Sequence, residues 1–217
     1  MFLQAAFVPP FSTLEAIGHA LQAAEPPAAA PESPPPRRGA LGRLSGRAVH
    51  VAERPAEVVS VFALFPAGRL GLPIAGFGNV TMGDAIKVAG ALQEQAEGWP
   101  RPTVHFAGAA VQEFHDRRYV ALTMAGEVDE LQSVARSVTQ CVQRKGFRFD
   151  RRKFQPLLAV VTIGENATAA QVMGFLNALE GLRSEPWTVD HVSVQKRSFD
   201  ATSMESMEYQ RIPLGRH

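Results

Sequence analysis

RLGLPIAGFGNVT, residues 69–81, is the stretch whose reading decides the fold. Its apolar centre has the composition of a strand and runs out in glycines. Thr81, with Asp84 three positions on, then supplies an N-cap and a first-turn acid for a helix. Ile86, Ala89, Leu92 and Ala96 follow at helical spacing as far as Gly98. A second run, LLAVVTIG at 157–164, repeats the arrangement. It is reached through Phe154-Gln155-Pro156 and followed by Asn166-Ala167-Thr168 and a helix carrying Val172, Phe175, Leu176 and Leu179. Two strand-to-helix units at equivalent places in two halves imply two similar lobes facing each other, not one parallel sheet.

The other elements fit around these two. Residues 2–8 form a strand ended by Pro9-Pro10, and Ser12-Thr13-Leu14-Glu15 is a capping-box pattern for a helix with Leu14, Ile17 and Leu21 on one face. Strands are expected at 49–52 and 58–65. Segments 103–114 and 119–125 read as a hairpin around a polar turn at 115–118. A helix from about Asp129 buries Leu131, Val134, Val138 and Cys141 and stops at Gly146. Residues 187–198 and 205–214 read as a closing pair of strands. The expected class is α+β: one bilobal domain over residues 1–217, each lobe a mostly antiparallel sheet with helices outside, around a central cleft. A Pro-rich stretch at 25–40 lacks the large apolar residues that would order it and is expected to be a flexible insert.

Composition removes several function classes. Twenty-two basic against 21 acidic residues give a net charge of +1, so no global field favours nucleic acid or a membrane surface. The single cysteine, Cys141, excludes an intrachain disulfide and reads as core. No apolar stretch approaches membrane length and residues 1–10 do not resemble a signal peptide, so a cytoplasmic protein without membrane contact is expected, and the Ala, Arg, Gly and Pro content suggests a bacterial one. His19, His50, His105, His115, His191 and His217 form no metal-ligand spacing, and there is no phosphate-binding Gly-rich loop or nucleophile elbow. Neither a metal nor a cofactor is expected.

The wording of several segments resembles the 2H phosphoesterase superfamily, in particular bacterial 2′-5′ RNA ligases of the LigT type, also described as RNA 2′,3′-cyclic phosphodiesterases. FLQAAFVPP is similar to the family's first strand, and LGLPIAGFGNVT to its first His-x-Thr strand with the following turn. GFRFDRRKFQPLLAVVTI resembles the approach to the second motif, and WTVDHVSVQKRS with EYQRIPL the last two strands. The resemblance implies a cleft in which two histidines act as general acid and base on a phosphodiester while a hydroxyl two residues after each binds the phosphate. Period-two spacing keeps each pair on one sheet face. Here the histidine positions fall on Gly71 and Leu157, the hydroxyl positions on Pro73 and Ala159, and a frequent arginine position on Thr162.

None of the four catalytic positions carries a side chain able to move a proton or donate a hydrogen bond. The resemblance therefore implies an inactive relative, a pseudoenzyme acting as a binding or interaction module for an RNA, a nucleotide or a protein. The alternative is a phosphodiesterase or RNA ligase with relocated groups, for which His105 is the candidate base. A scaffold self-associating through a lobe face or the final hairpin is a third reading. Gly71, Pro73 and Ala75, opposite Leu157, Ala159 and Val161, are expected to form an apolar cleft floor in which Leu157 fills the space facing Gly71 and a phosphate finds no donors. Arg148, Arg151 and Arg152 offer a basic rim, with Arg117-Arg118 beyond. Pro73 has no ladder donor and demands an edge strand or a bulge.

Overall fold

The computed structural model describes residues 1–24, 61–66, 70–114, 117–150, 153–199 and 204–215. The strand expected at 49–52, the insert at 25–40, and Arg151, Arg152, His50, His115 and His217 lie outside the described residues. In chain order the elements are β1 (Phe2–Phe7), α1 (Phe11–Ala24), β2 (Phe62–Leu64), β3 (Leu72–Asn79), α2 (Met82–Ala96), β4 (Thr103–Phe114), β5 (Arg117–Gly126), α3 (Val128–Arg144), β6 (Leu157–Ile163), α4 (Ala169–Leu179), β7 (Trp187–Thr188), β8 (His191–Phe199) and β9 (Met204–Pro213). They form two antiparallel sheets, ordered β3-β1-β8-β9 and β2-β6-β5-β4-β7. This is the two-lobed α+β architecture the sequence implies.

The helices start and stop where local chemistry requires. Thr81 caps α2 by accepting from the Asp84 amide at 3.1 Å, and Thr168 caps α4 in a reciprocal box with Gln171. α3 ends with Gly146 at φ +81°, while the Gly146 and Phe147 amides donate back to Gln143 and Val142. Those two bonds are a Schellman closure that glycine makes possible. α1 begins one residue before the expected box, with the Pro10 carbonyl accepting from Leu14, so Ser12 lies inside the helix. Its Leu14, Ile17 and Leu21 are buried as expected. In α2 the buried residues are Ala85, Val88, Ala89, Ala91, Leu92 and Ala96, whereas Ile86 is 60% exposed.

The two lobes exchange helices. α1, which follows a strand of the first sheet, packs on α4 of the second lobe, while α3, which follows a strand of the second sheet, packs on α2 and β3 of the first. Cys141 in α3 is fully buried, its thiol 3.2 Å from the Ala91 carbonyl in α2. Burial raises that thiol's pKa, and the nearby Arg144 and Lys145 charges offset only part of the rise. The closing segment also divides: Trp187–Thr188 pairs with β4, and the chain then crosses to pair β8 with β1. The expected single strand over 187–198 is thus two strands in different sheets. Val189 marks the crossing, its amide donating to the Pro102 carbonyl.

β3 and β6 match residue for residue. From Gly71 to Phe77 the burial runs half-buried, buried, exposed, buried, buried, half-buried, buried, and from Leu157 to Ile163 the succession is the same. Both strands bulge at the same point. Ala6 faces Pro73 while Ala5 faces Ala75, leaving Ile74 extra; Ala121 faces Ala159 while Val120 faces Val161, leaving Val160 extra. Neighbouring residues on a partner strand point to opposite faces, so Pro73 and Ala75 point oppositely, as do Ala159 and Val161. Ala75 and Val161 are accordingly buried under the helices, at 3% and 0% exposure, and do not line the cleft as expected. β3 is an end strand of its sheet among the described residues, so the structure meets Pro73's requirement in both ways, by edge and by bulge.

Candidate functional site

The face of the first sheet opposite its helices carries polar side chains. Gln4 of β1 lies opposite Gln195 of β8, and its amide donates to Gln195 Oε1 at 2.8 Å. Arg197, two positions along β8, donates from Nη1 to Gln4 Oε1 at 3.0 Å. This chain of bonds fixes a half-buried guanidinium at the centre of the face. Gly71 and Pro73 border a hollow of about 90 Å³ together with Gln4, Gln195, Arg197 and Ser206. A larger hollow of about 410 Å³ adjoins it, sharing Gln4 and Arg197 and adding Phe2, Gly76, Gly78, Arg148, Phe149 and Asp150.

The expected apolar floor is therefore corrected on this side. Gly71 and Pro73 lack side-chain donors, but their neighbours on β1 and β8 supply them. Pro73 and Ala159 are exposed, and among the described residues a Cβ built on Gly71 would meet, within 4 Å, only the Phe7 carbonyl at 3.5 Å.

The second sheet presents a blander face. Leu157, Ala159 and Thr162 lie opposite Thr123, Ala121 and Tyr119 of β5 and share their face. His105 of β4, half-buried, lies opposite Ala125 on that same face, between Val104 and Phe106, which are buried on the other. β5 separates His105 from β6, so two strand spacings, on the order of 10 Å, part it from Leu157. Among the expected rim residues, Arg148 is exposed and enters the larger hollow, while Arg117 and Arg118 belong to β5, opposite Phe114 and Glu113. Among the described residues no group of three or more His, Cys, Asp or Glu side chains is placed to hold a metal ion, and no helix is long and apolar enough to cross a membrane.

The polar face continues beyond Arg197 to the other end of β8. Buried Ser193 donates to Glu208 Oε2 at 3.0 Å, Arg211 Nε donates to Glu208 Oε1 at 3.2 Å, and His191 Nε2 lies 3.8 Å from Glu208 Oε2. His191 Nδ1 is 2.5 Å from Asp190 Oδ1. Burial pushes the Asp190 carboxyl up, but the hydrogen bond and charge of His191, with help from Arg101, leave it below its ordinary value. Sequence reading missed Gln4, Gln195 and Arg197. Their signal was present, as a lone glutamine in the apolar FLQAAF and as period-two polarity in HVSVQKR.

No protein-family model matches the chain, and no curated protein matches it in sequence. Solved structures do match. TT0787 of Thermus thermophilus superposes with a TM-score of 0.65 at 12% identity, over 100% of both chains. E. coli LigT complexed with NADP+ gives 0.63 at 16% identity over 99% of this chain and 97% of that one, and LigT complexed with 3′-AMP gives 0.59 at 16% over the same shares. At such identities the likeness is one of fold, and the chain adopts a two-lobed, LigT-like fold.

Proposed function

We propose that this protein is a 2H-like nucleotide- or RNA-binding module that does not catalyse phosphodiester hydrolysis. One observation carries the reading: residues 71, 73, 157 and 159 lie exposed or half-exposed on a LigT-like frame without a proton-transfer group among them, while Gln4, Gln195 and Arg197, which border the same hollow as residues 71 and 73, form a hydrogen-bonded cationic floor. Such a floor suits a phosphate, because a guanidinium held by neighbouring amides needs little reordering to bind it. Turnover needs a base and an acid as well, and His105 lies too far from β6 to replace a histidine at Leu157 directly. LigT has been solved with 3′-AMP, which makes that nucleotide the first probe.

The test pairs calorimetric titration of the full chain with 3′-AMP and an assay for opening of 2′,3′-cyclic AMP. Binding without turnover, weakened at least about tenfold in Arg197→Ala, is expected from loss of a charge-assisted contact. Hydrolysis that survives stringent purification and disappears in His105→Ala would overturn the reading in favour of an enzyme with relocated groups.

A further inference from the structure

We infer that the 410 Å³ hollow is a nucleoside-monophosphate pocket, with Arg148 and Arg197 taking the phosphate and Phe2 and Phe149 flanking the base. This rests on the nucleotide-binding reading above and moves the ligand's anchor away from the four motif positions towards the loop joining α3 to β6. The volume falls within the range of small-ligand sites. Its lining combines two guanidiniums, one amide and two phenyl rings, which is the chemistry of a flat base joined to an anion. Phe2 is 44% exposed although it lies in a strand.

The walls are positioned before any ligand arrives. Closure of α3 at Gly146 aims the following residues across β3, and the Asp150 amide donates to the Gly76 carbonyl at 2.8 Å, pinning the loop that bears Arg148 and Phe149. On the opposite wall, Gln195 and Gln4 orient Arg197. Gly76 and Gly78 leave the space between open because neither carries a side chain.

Calorimetry of the full chain with 3′-AMP, adenosine and inorganic phosphate tests this. Wild type is expected to bind 3′-AMP at least about tenfold more tightly than either fragment. Arg148→Gln should weaken 3′-AMP by about tenfold and leave adenosine unchanged. Gly76→Leu should abolish binding of both. Among the described residues a Cβ at Gly76 meets, within 4 Å, only Asp150 Cβ at 3.9 Å, and the residue does not have positive φ, so the variant is expected to fold and simply fill the pocket. Should thermal unfolding show that Gly76→Leu does not fold, exposed Arg148→Gln decides alone. Unchanged 3′-AMP affinity in the folded variants overturns the pocket while leaving nucleotide binding in place. Phosphate binding as tight as 3′-AMP overturns base recognition, and no 3′-AMP binding by wild type overturns both readings.

Discussion

β3 and β6 carry the same succession of buried and exposed positions and the same one-residue bulge, yet their surroundings differ. Among the described residues β3 is an end strand beside Gln4, Gln195 and Arg197, whereas β6 is flanked by β2 and β5 and looks across at Ala121, Thr123 and Tyr119. Backbone equivalence does not require chemical equivalence. Bulge, pleat and helix cap are set by local geometry and core packing, while the polarity of each face comes from whichever strand pairs next to it. One half of this molecule has a cationic floor and the other a mixed one of Ala, Leu, Thr, Tyr and His side chains on the same template.

The strongest way to challenge that equivalence is to put the missing groups back. A chain with Gly71→His, Pro73→Thr, Leu157→His and Ala159→Thr is expected to open 2′,3′-cyclic AMP about 10²–10⁴-fold faster than wild type, as measured by chromatography of the product. No gain would mean that the two strands, though alike in burial, do not converge on one phosphate. A second comparison lies in the core. Leu72→Ala and Leu158→Ala remove equivalent side chains, 0% and 1% exposed, and each should cost about 2–5 kcal/mol in urea unfolding. A large inequality between them would show that one lobe relaxes around the cavity and the other does not.

The caps allow a finer comparison. Thr81→Ala and Thr168→Ala should each lose about 1 kcal/mol, with the reciprocal box making the second loss the greater. Equal losses would leave the Gln171 contact without net value. The smallest effect belongs to the first sheet alone. The folded-state pKa of Asp190 is depressed, so its contribution to stability is present above the unfolded carboxylate value, about 3.9, and is lost as pH falls through the lower folded value. Asp190→Asn should remove that part of the acid dependence in thermal melts; because the side chain is 54% exposed, the change should be slight.

The sequence made the element order, both strand-to-helix units and three of the four buried helix faces legible, because apolar spacing and capping residues are local signals. The bulges were not legible. Ile74 and Val160 are ordinary strand residues, so unbroken period-two counting placed Ala75 and Val161 on the wrong face. The polar floor escaped for a different reason. Gln4 and Gln195 acquire meaning only when β1 and β8 pair, and no local pattern announces a contact between strands at opposite ends of the sequence. Ile86 shows the limit within a helix: it fits the spacing, but Ala85 and Val88 face the core instead.

That late pairing also shapes how the molecule forms. β1 is synthesised well before its neighbour β8, and α3, which covers part of β3, is synthesised only after β4 and β5. Neither lobe can complete its core from its own half of the message. Co-translational folding should therefore stall with an open sheet edge until β8 has been made, and refolding should be slow, since long-range strand pairing limits the rate.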